Sequence, residues 1–88
     1  MKIELLTQKN CPKCEWFKEY IVPALKLKGF EIEEKSKYDY NLFFFVDNNI
    51  QYKSTPTLLI WNDKNELLIM DKGLILKNIE TEIRKHCK

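Results

Sequence analysis

The stretch Lys2-Ile3-Glu4-Leu5-Leu6-Thr7-Gln8-Lys9-Asn10-Cys11-Pro12-Lys13-Cys14 decides how the rest of the chain is read. Residues 2–7 combine apolar–polar alternation with a second adjacent apolar residue, which suits a short strand buried largely on both faces. Gln8, Lys9 and Asn10 form a polar break. From Cys14 the apolar positions Phe17, Tyr20, Ile21, Ala24, Leu25 and Leu27 recur at helical spacing, predicting a helix over 14–29 that stops at Gly29. Pro23 falls inside it, where a missing N–H and a crowded preceding turn predict a kink near residues 19–23 or an early end. The two cysteines thus stand where a strand hands over to a helix.

Working outward, residues 30–34 alternate with period two and follow the helix, so strand, helix and strand make a candidate right-handed parallel crossover. Asp39 is a candidate cap for a short helix over 42–46, although Leu42-Phe43-Phe44-Phe45-Val46 has no clear period and fits a strand equally well. Asp47-Asn48-Asn49 reads as a turn. Residues 57–61 read as a buried strand opened by Pro56, and Asn62-Asp63-Lys64-Asn65 closes a hairpin onto a strand over 66–70, ended by Gly73. Leu76, Ile79 and Ile83 are spaced by three and four, predicting an amphipathic helix over 74–86. The order β-α-β, then α-β-β-α, implies an α/β fold with a four-stranded mixed sheet and helices on both faces.

Eighty-eight residues with 44% hydrophobic content suit one domain spanning 1–88. Fifteen basic against 13 acidic residues leave a formal charge of +2, too small a field to nominate nucleic acid or an anionic membrane as partner. No apolar run approaches bilayer-spanning length, and residues 1–7 are too short and mixed for a signal peptide, so a cytoplasmic location is expected. Three cysteines, two of them in a Cys-x-x-Cys, look like chemistry rather than bracing.

Two cysteines three apart across the first turn of a helix can bring their sulfurs within bonding distance, while the free N–H groups there stabilise a thiolate at Cys11. Lys9 and Lys13 add positive charge. Cys11 is therefore the expected nucleophile on a substrate disulfide, and Cys14 the resolving thiol that releases the mixed disulfide. Pro12 suits a first helical turn, where its missing N–H would have been unpaired anyway. The competing readings are inert cysteines or half of a zinc site; zinc would need His86 and Cys87, which as helix neighbours point about 100° apart. A second feature is Ser54-Thr55-Pro56-Thr57 at a strand entry, where spacing alone reads Pro56 as an ordinary trans proline.

The opening "MKIELLTQKNCPKC" resembles that of a glutaredoxin, and "STPTLLIWNDKNELLIMDKG" followed by "LILKNI" resembles the second half of a thioredoxin. The likeness covers nearly the whole chain except residues 35–50. It implies a thioredoxin-like fold, nucleophilic Cys11, resolving Cys14, a cis Pro56, and a substrate groove along Thr55 and Gly73 where an extended segment pairs like an added strand. It also implies a disulfide-containing protein substrate, no tightly bound cofactor, a monomer, and either a thioredoxin-type reductase or glutathione as electron donor. The chain departs from both branches. Asn10 and Pro12 replace the tryptophan and glycine of thioredoxin, whose buried aspartate is missing. Lys13 replaces the motif aromatic of glutaredoxins. Gly73-Leu74-Ile75-Leu76 replaces their double glycine and acidic residues, so weak glutathione binding is expected. Glutaredoxin-like folds can also hold an iron–sulfur cluster between subunits with glutathione, but an intact Cys14 and Pro12 argue against that alternative.

Tyr38, Tyr40, Tyr52 and the phenylalanines are expected to pack rather than form a peptide-binding surface. His86 is expected to be solvated near the helix dipole, and Cys87 to be a free thiol at a frayed end that forms intermolecular disulfides on oxidation.

Overall fold

The computed structural model describes residues 1–49 and 55–87, so Tyr52 and Ser54 lie outside the described residues. Four strands, β1 (Lys2–Thr7), β2 (Ile32–Ser36), β3 (Thr57–Trp61) and β4 (Leu67–Met70), form one mixed sheet in the order β2-β1-β3-β4. β1 runs parallel to β2 and antiparallel to β3, and β3 and β4 form the antiparallel hairpin. Because side chains alternate across a strand, β1 serves two cores. Ile3 and Leu5 join Leu58, Ile60, Phe17, Ile21, Leu25, Ile79 and Ile83 on one face, while Leu6 joins Leu59 and Phe45 on the other. The mixed sheet with helices, and the α/β class, are as expected from the order of elements.

The first helical stretch starts at Pro12, ahead of the periodic apolar residues and in the first turn where Pro12 was expected, and is not uniform. It consists of α1 (Pro12–Trp16), a π-helical turn (Phe17–Ile21) and α2 (Val22–Leu27). Pro23 is the physical cause: it has no N–H for the Glu19 carbonyl and its ring crowds that turn. The backbone widens instead, the Val22 N–H reaching the Phe17 carbonyl. Widening keeps Phe17, Ile21 and Leu25 buried but leaves Tyr20 and Leu27 exposed, so these two drop out of the predicted apolar stripe.

Gly29 ends the helix at φ +92, with its N–H on the Lys26 carbonyl and the Phe30 N–H on the Leu25 carbonyl. Phe30 is spent on this closure, and β2 begins at Ile32 rather than residue 30. Asp39 does not cap the next helix. It closes a capping box with Ser36 around the 3₁₀ turn Lys37–Asp39, and Asn41 caps α3 (Leu42–Asp47) by accepting from the Phe44 N–H. The ambiguous 42–46 run is therefore helix, and Phe44 and Phe45 pack on the sheet while Leu42, Phe43 and Val46 face outward. Tyr40 packs there too, stacked on Phe44, whereas Tyr38 is exposed.

The hairpin turn is held by the Asn62 side chain, whose Oδ1 accepts from the Lys64 and Glu66 N–H groups, so β4 starts one residue later than predicted, at Leu67. β4 ends at Met70, three residues before Gly73. The last helix, α4 (Leu76–His86), also starts two residues late, because Ile75 is extended and its N–H turns back to the Gly73 carbonyl.

Among the described residues no helix is long and apolar enough to cross a membrane.

Candidate active site

The loop from β1 to α1 passes through Asn10 in the left-handed region at φ +56, a conformation asparagine tolerates better than most residues. That turn delivers Cys11 to the N-cap of α1, where its Sγ accepts from the Cys14 N–H at 3.1 Å. Cys11 and Cys14 form a disulfide with Cα atoms 5.2 Å apart. Cys11 is 8% exposed and Cys14 is fully enclosed, so an incoming disulfide can reach only the former. Pro12 and Lys13 stand exposed on the first turn.

The Thr55–Pro56 peptide is cis. It sets Thr55 against the cysteine pair: the Thr55 carbonyl oxygen lies 3.8 Å from Cys11 Sγ, and the Thr55 hydroxyl points at the same sulfur from 3.5 Å. The Cys14 N–H and the Thr55 O–H are thus two donors aimed at one sulfur, and hydrogen bonds to a thiolate favour its charged form.

Beside the pair lies a groove of about 600 Å³. Lys13 and Trp16 line it from α1, Phe17 from the start of the π-helical turn, Thr55 and Pro56 from the entry to β3, and Asp71, Lys72, Gly73 and Leu74 from the turn after β4. Of the residues expected to bind substrate, Lys13, Thr55, Pro56 and Gly73 come together here, and Pro12 adjoins them. Lys9 does not line the groove; it sits on the exposed turn before Asn10. Sequence reading missed the Thr55 hydroxyl, Trp16, Asp71 and Lys72. For Trp16 a signal existed, since an indole two residues after Cys14 falls off the buried stripe of Phe17, Ile21 and Leu25.

Other expectations are corrected. The sheet does carry a buried acid, Glu4, but strand alternation turns it to the face opposite Phe17, where the Tyr40 hydroxyl donates to it and Lys2 lies 3.5 Å away. Burial, and then that bond, push the Tyr40 phenol above its ordinary range. His86 is not merely solvated. Its Nε2 is 2.7 Å from the Glu66 carbonyl oxygen, and its own carbonyl accepts from Asn62. Cys87 is partly buried against the main core rather than frayed. Both therefore sit at the hairpin end of the sheet, where the Met1 amino group meets Asp63, while Cys11 follows the far end of β1. The two donors that zinc would need do not converge on the pair, and no group of three or more possible metal-binding side chains occurs among the described residues.

The class that this fold and site define is a thioredoxin-fold domain bearing a Cys-x-x-Cys at its strand-to-helix turn. Among solved structures the chain is similar to thioredoxin 1 from the thermophilic eubacterium Thermosipho africanus TCF52B, with a TM-score of 0.68 over 97% of this chain and 92% of that chain, at 19% identity. No protein-family model and no curated protein matches it by sequence.

The third cysteine provides a contrast within the chain. Burial pushes the Cys87 thiol up from its ordinary value, so little thiolate is present at neutral pH and the amount rises about tenfold per pH unit until that raised value is passed. In fully reduced protein, iodoacetamide is expected to alkylate Cys11 first at pH 7, with Cys87 catching up only under alkaline conditions. Peptide mass spectrometry across a pH series measures this order, and Cys87 reacting first at pH 7 would contradict it.

Proposed function

We propose that the chain is a thiol–disulfide oxidoreductase that reduces protein disulfides with Cys11 as nucleophile and Cys14 as resolving thiol. The observation that carries this reading is the convergence of two hydrogen-bond donors on the accessible Cys11 sulfur at the edge of an open groove. In the reduced protein the Cys11 thiolate attacks one sulfur of the substrate, the substrate S–S bond breaks, and the departing sulfur takes up a proton. The Cys14 thiol then loses its proton and attacks Cys11, forming the Cys11–Cys14 bond and freeing the second substrate thiol. Two electrons and two protons pass to the substrate. Enclosure of Cys14 suits it to this intramolecular step. A chain whose third cysteine stays a thiol suits a reducing, cytosolic compartment.

The returning electrons fit a thioredoxin-type reductase better than glutathione. Glutathione offers two carboxylates and an amine; Lys13 and Lys72 can meet carboxylates, but Leu74 stands after Gly73 where glutaredoxins present acid to the amine, which leaves Asp71 as the one acid on the groove wall. A weakened charge-assisted contact of about 1.5 kcal/mol is roughly tenfold in affinity. Turnover of a disulfide substrate is therefore expected to run about tenfold faster with thioredoxin reductase than with glutathione and its reductase at matched concentrations. Efficient turnover with glutathione alone would reverse the donor assignment. Failure of chemically pre-reduced protein to reduce any disulfide would sink the oxidoreductase reading itself.

A further inference from the structure

The charged residues lining the groove beside the cysteines are Lys13, Lys72 and Asp71, an excess of positive charge in a small space. Lys13 reaches it from α1 and Lys72 from the turn after β4, and neither makes an ion pair among the described residues; Lys26, Lys64, Lys77 and Lys85 have none either, but they do not line the groove. Lys9, two residues ahead of Cys11, is likewise exposed without an ion pair. The acids nearby offset this only in part. Asp71 is half-buried on the groove wall, and Glu15 is held by Lys18 at 2.9 Å. Two unpaired cations on opposite walls thus face the path to Cys11.

The second observation is aromatic. Trp16 lines the groove and is 50% exposed, and Tyr20, one turn further out, is 58% exposed with its ring centroid 5.8 Å from that of Trp16. Tyr20 lies beyond the groove, so an occupant that covers both rings is longer than a small disulfide seated at the cysteines. Exposed aromatics continuous with a site mark protein contact surfaces.

We infer that the preferred substrate is a protein disulfide carried on an acidic segment, with carboxylates beside the attacked sulfur meeting Lys13 and Lys72 and an apolar flank lying over Trp16 and Tyr20. The inference rests on the oxidoreductase reading and adds to it the chemistry of the partner. Complementary charge acts chiefly on encounter, so preference appears in the rate at low substrate and fades as salt screens it.

The test uses pre-reduced protein in single turnover against three peptides of one length, each with the same internal disulfide and a tyrosine, flanked by Glu, Gln or Lys. With each exposed charge worth little on its own, the Glu peptide is expected to react roughly fivefold faster than the Lys peptide at low ionic strength, with the ratio approaching one near 1 M salt. In Lys72→Glu that ratio is expected to fall by about threefold, with Lys72→Gln between the two. Equal rates for the Glu and Lys peptides, a preference for Lys, or a ratio unmoved in Lys72→Glu would each overturn the inference. The Gln peptide separates the failures: its reduction without any charge preference defeats only the acidic-substrate inference, whereas no reduction of any peptide defeats the oxidoreductase reading with it.

Discussion

Cys11→Ser is expected to abolish disulfide reduction, and Cys14→Ser to stop turnover after the first half of the reaction, leaving substrate covalently attached to Cys11. The asymmetry follows from burial and bonding. Cys11 is the sulfur at the surface and the one that the Cys14 N–H and the Thr55 hydroxyl address. A serine hydroxyl there, without a base to activate it, is no nucleophile toward sulfur, so activity falls by several orders of magnitude. With Cys14 replaced, attack by Cys11 still occurs but nothing inside the chain displaces the adduct. Mass spectrometry of each variant after incubation with a disulfide peptide reads the outcome as one substrate half per chain in Cys14→Ser and none at position 11 in Cys11→Ser. A trapped adduct on Cys14 in the Cys11→Ser protein, with none on Cys11 in Cys14→Ser, would exchange the two roles.

Phe17→Ala is expected to cost about 3–5 kcal/mol, the range for removing a buried phenylalanine. Phe17 is 1% exposed, begins the π-helical turn, and packs in the cluster that joins α2 and α4 to the sheet while also lining the groove. Small domains are stable by only about 5–15 kcal/mol, so this one change consumes much of the total. Phe43→Ala is the control. Phe43 faces outward from α3, and its loss is expected to stay within about 0.5 kcal/mol. Urea denaturation compares the two through the shift in midpoint at constant slope. Equal losses for Phe17 and Phe43 would contradict the packing described.

The phenylalanines also show where sequence reading reaches its limit. Five neighbouring apolar residues, 42–46, have no period, because a helix this short, pressed by one side on a sheet and open on the other, needs only Phe44 and Phe45 inside. The cap went to Asn41 rather than Asp39 for a similarly local reason. Both side chains are good acceptors, and only the 3₁₀ turn ahead of α3, which engages Asp39 through Ser36, decides between them. The element starts that moved later, at residues 32, 67 and 76, all lie where a turn consumes a residue in closing its own hydrogen bonds.

What the sequence determined by itself was the local chemistry: a strand, a polar turn and a helix that together hold two cysteines at a helix start, with strand alternation and helical spacing assigning Ile3, Leu5, Phe17, Ile21, Leu25, Ile79 and Ile83 to the core. Those signals are periodic and short-range, and they survive in a single chain without any knowledge of what packs on what. The rest of the site was decided by tertiary structure. The Thr55 hydroxyl meets Cys11 across 44 positions of sequence, and Lys72 shares a groove with Lys13 and Trp16, because β3 pairs antiparallel with β1 and carries the cis Thr55–Pro56 peptide to the end where β1 delivers the cysteines. Which strands become neighbours is a property of the whole core, bought by burying both faces of β1 at once, and no window of sequence around Thr55 or Lys72 contains it.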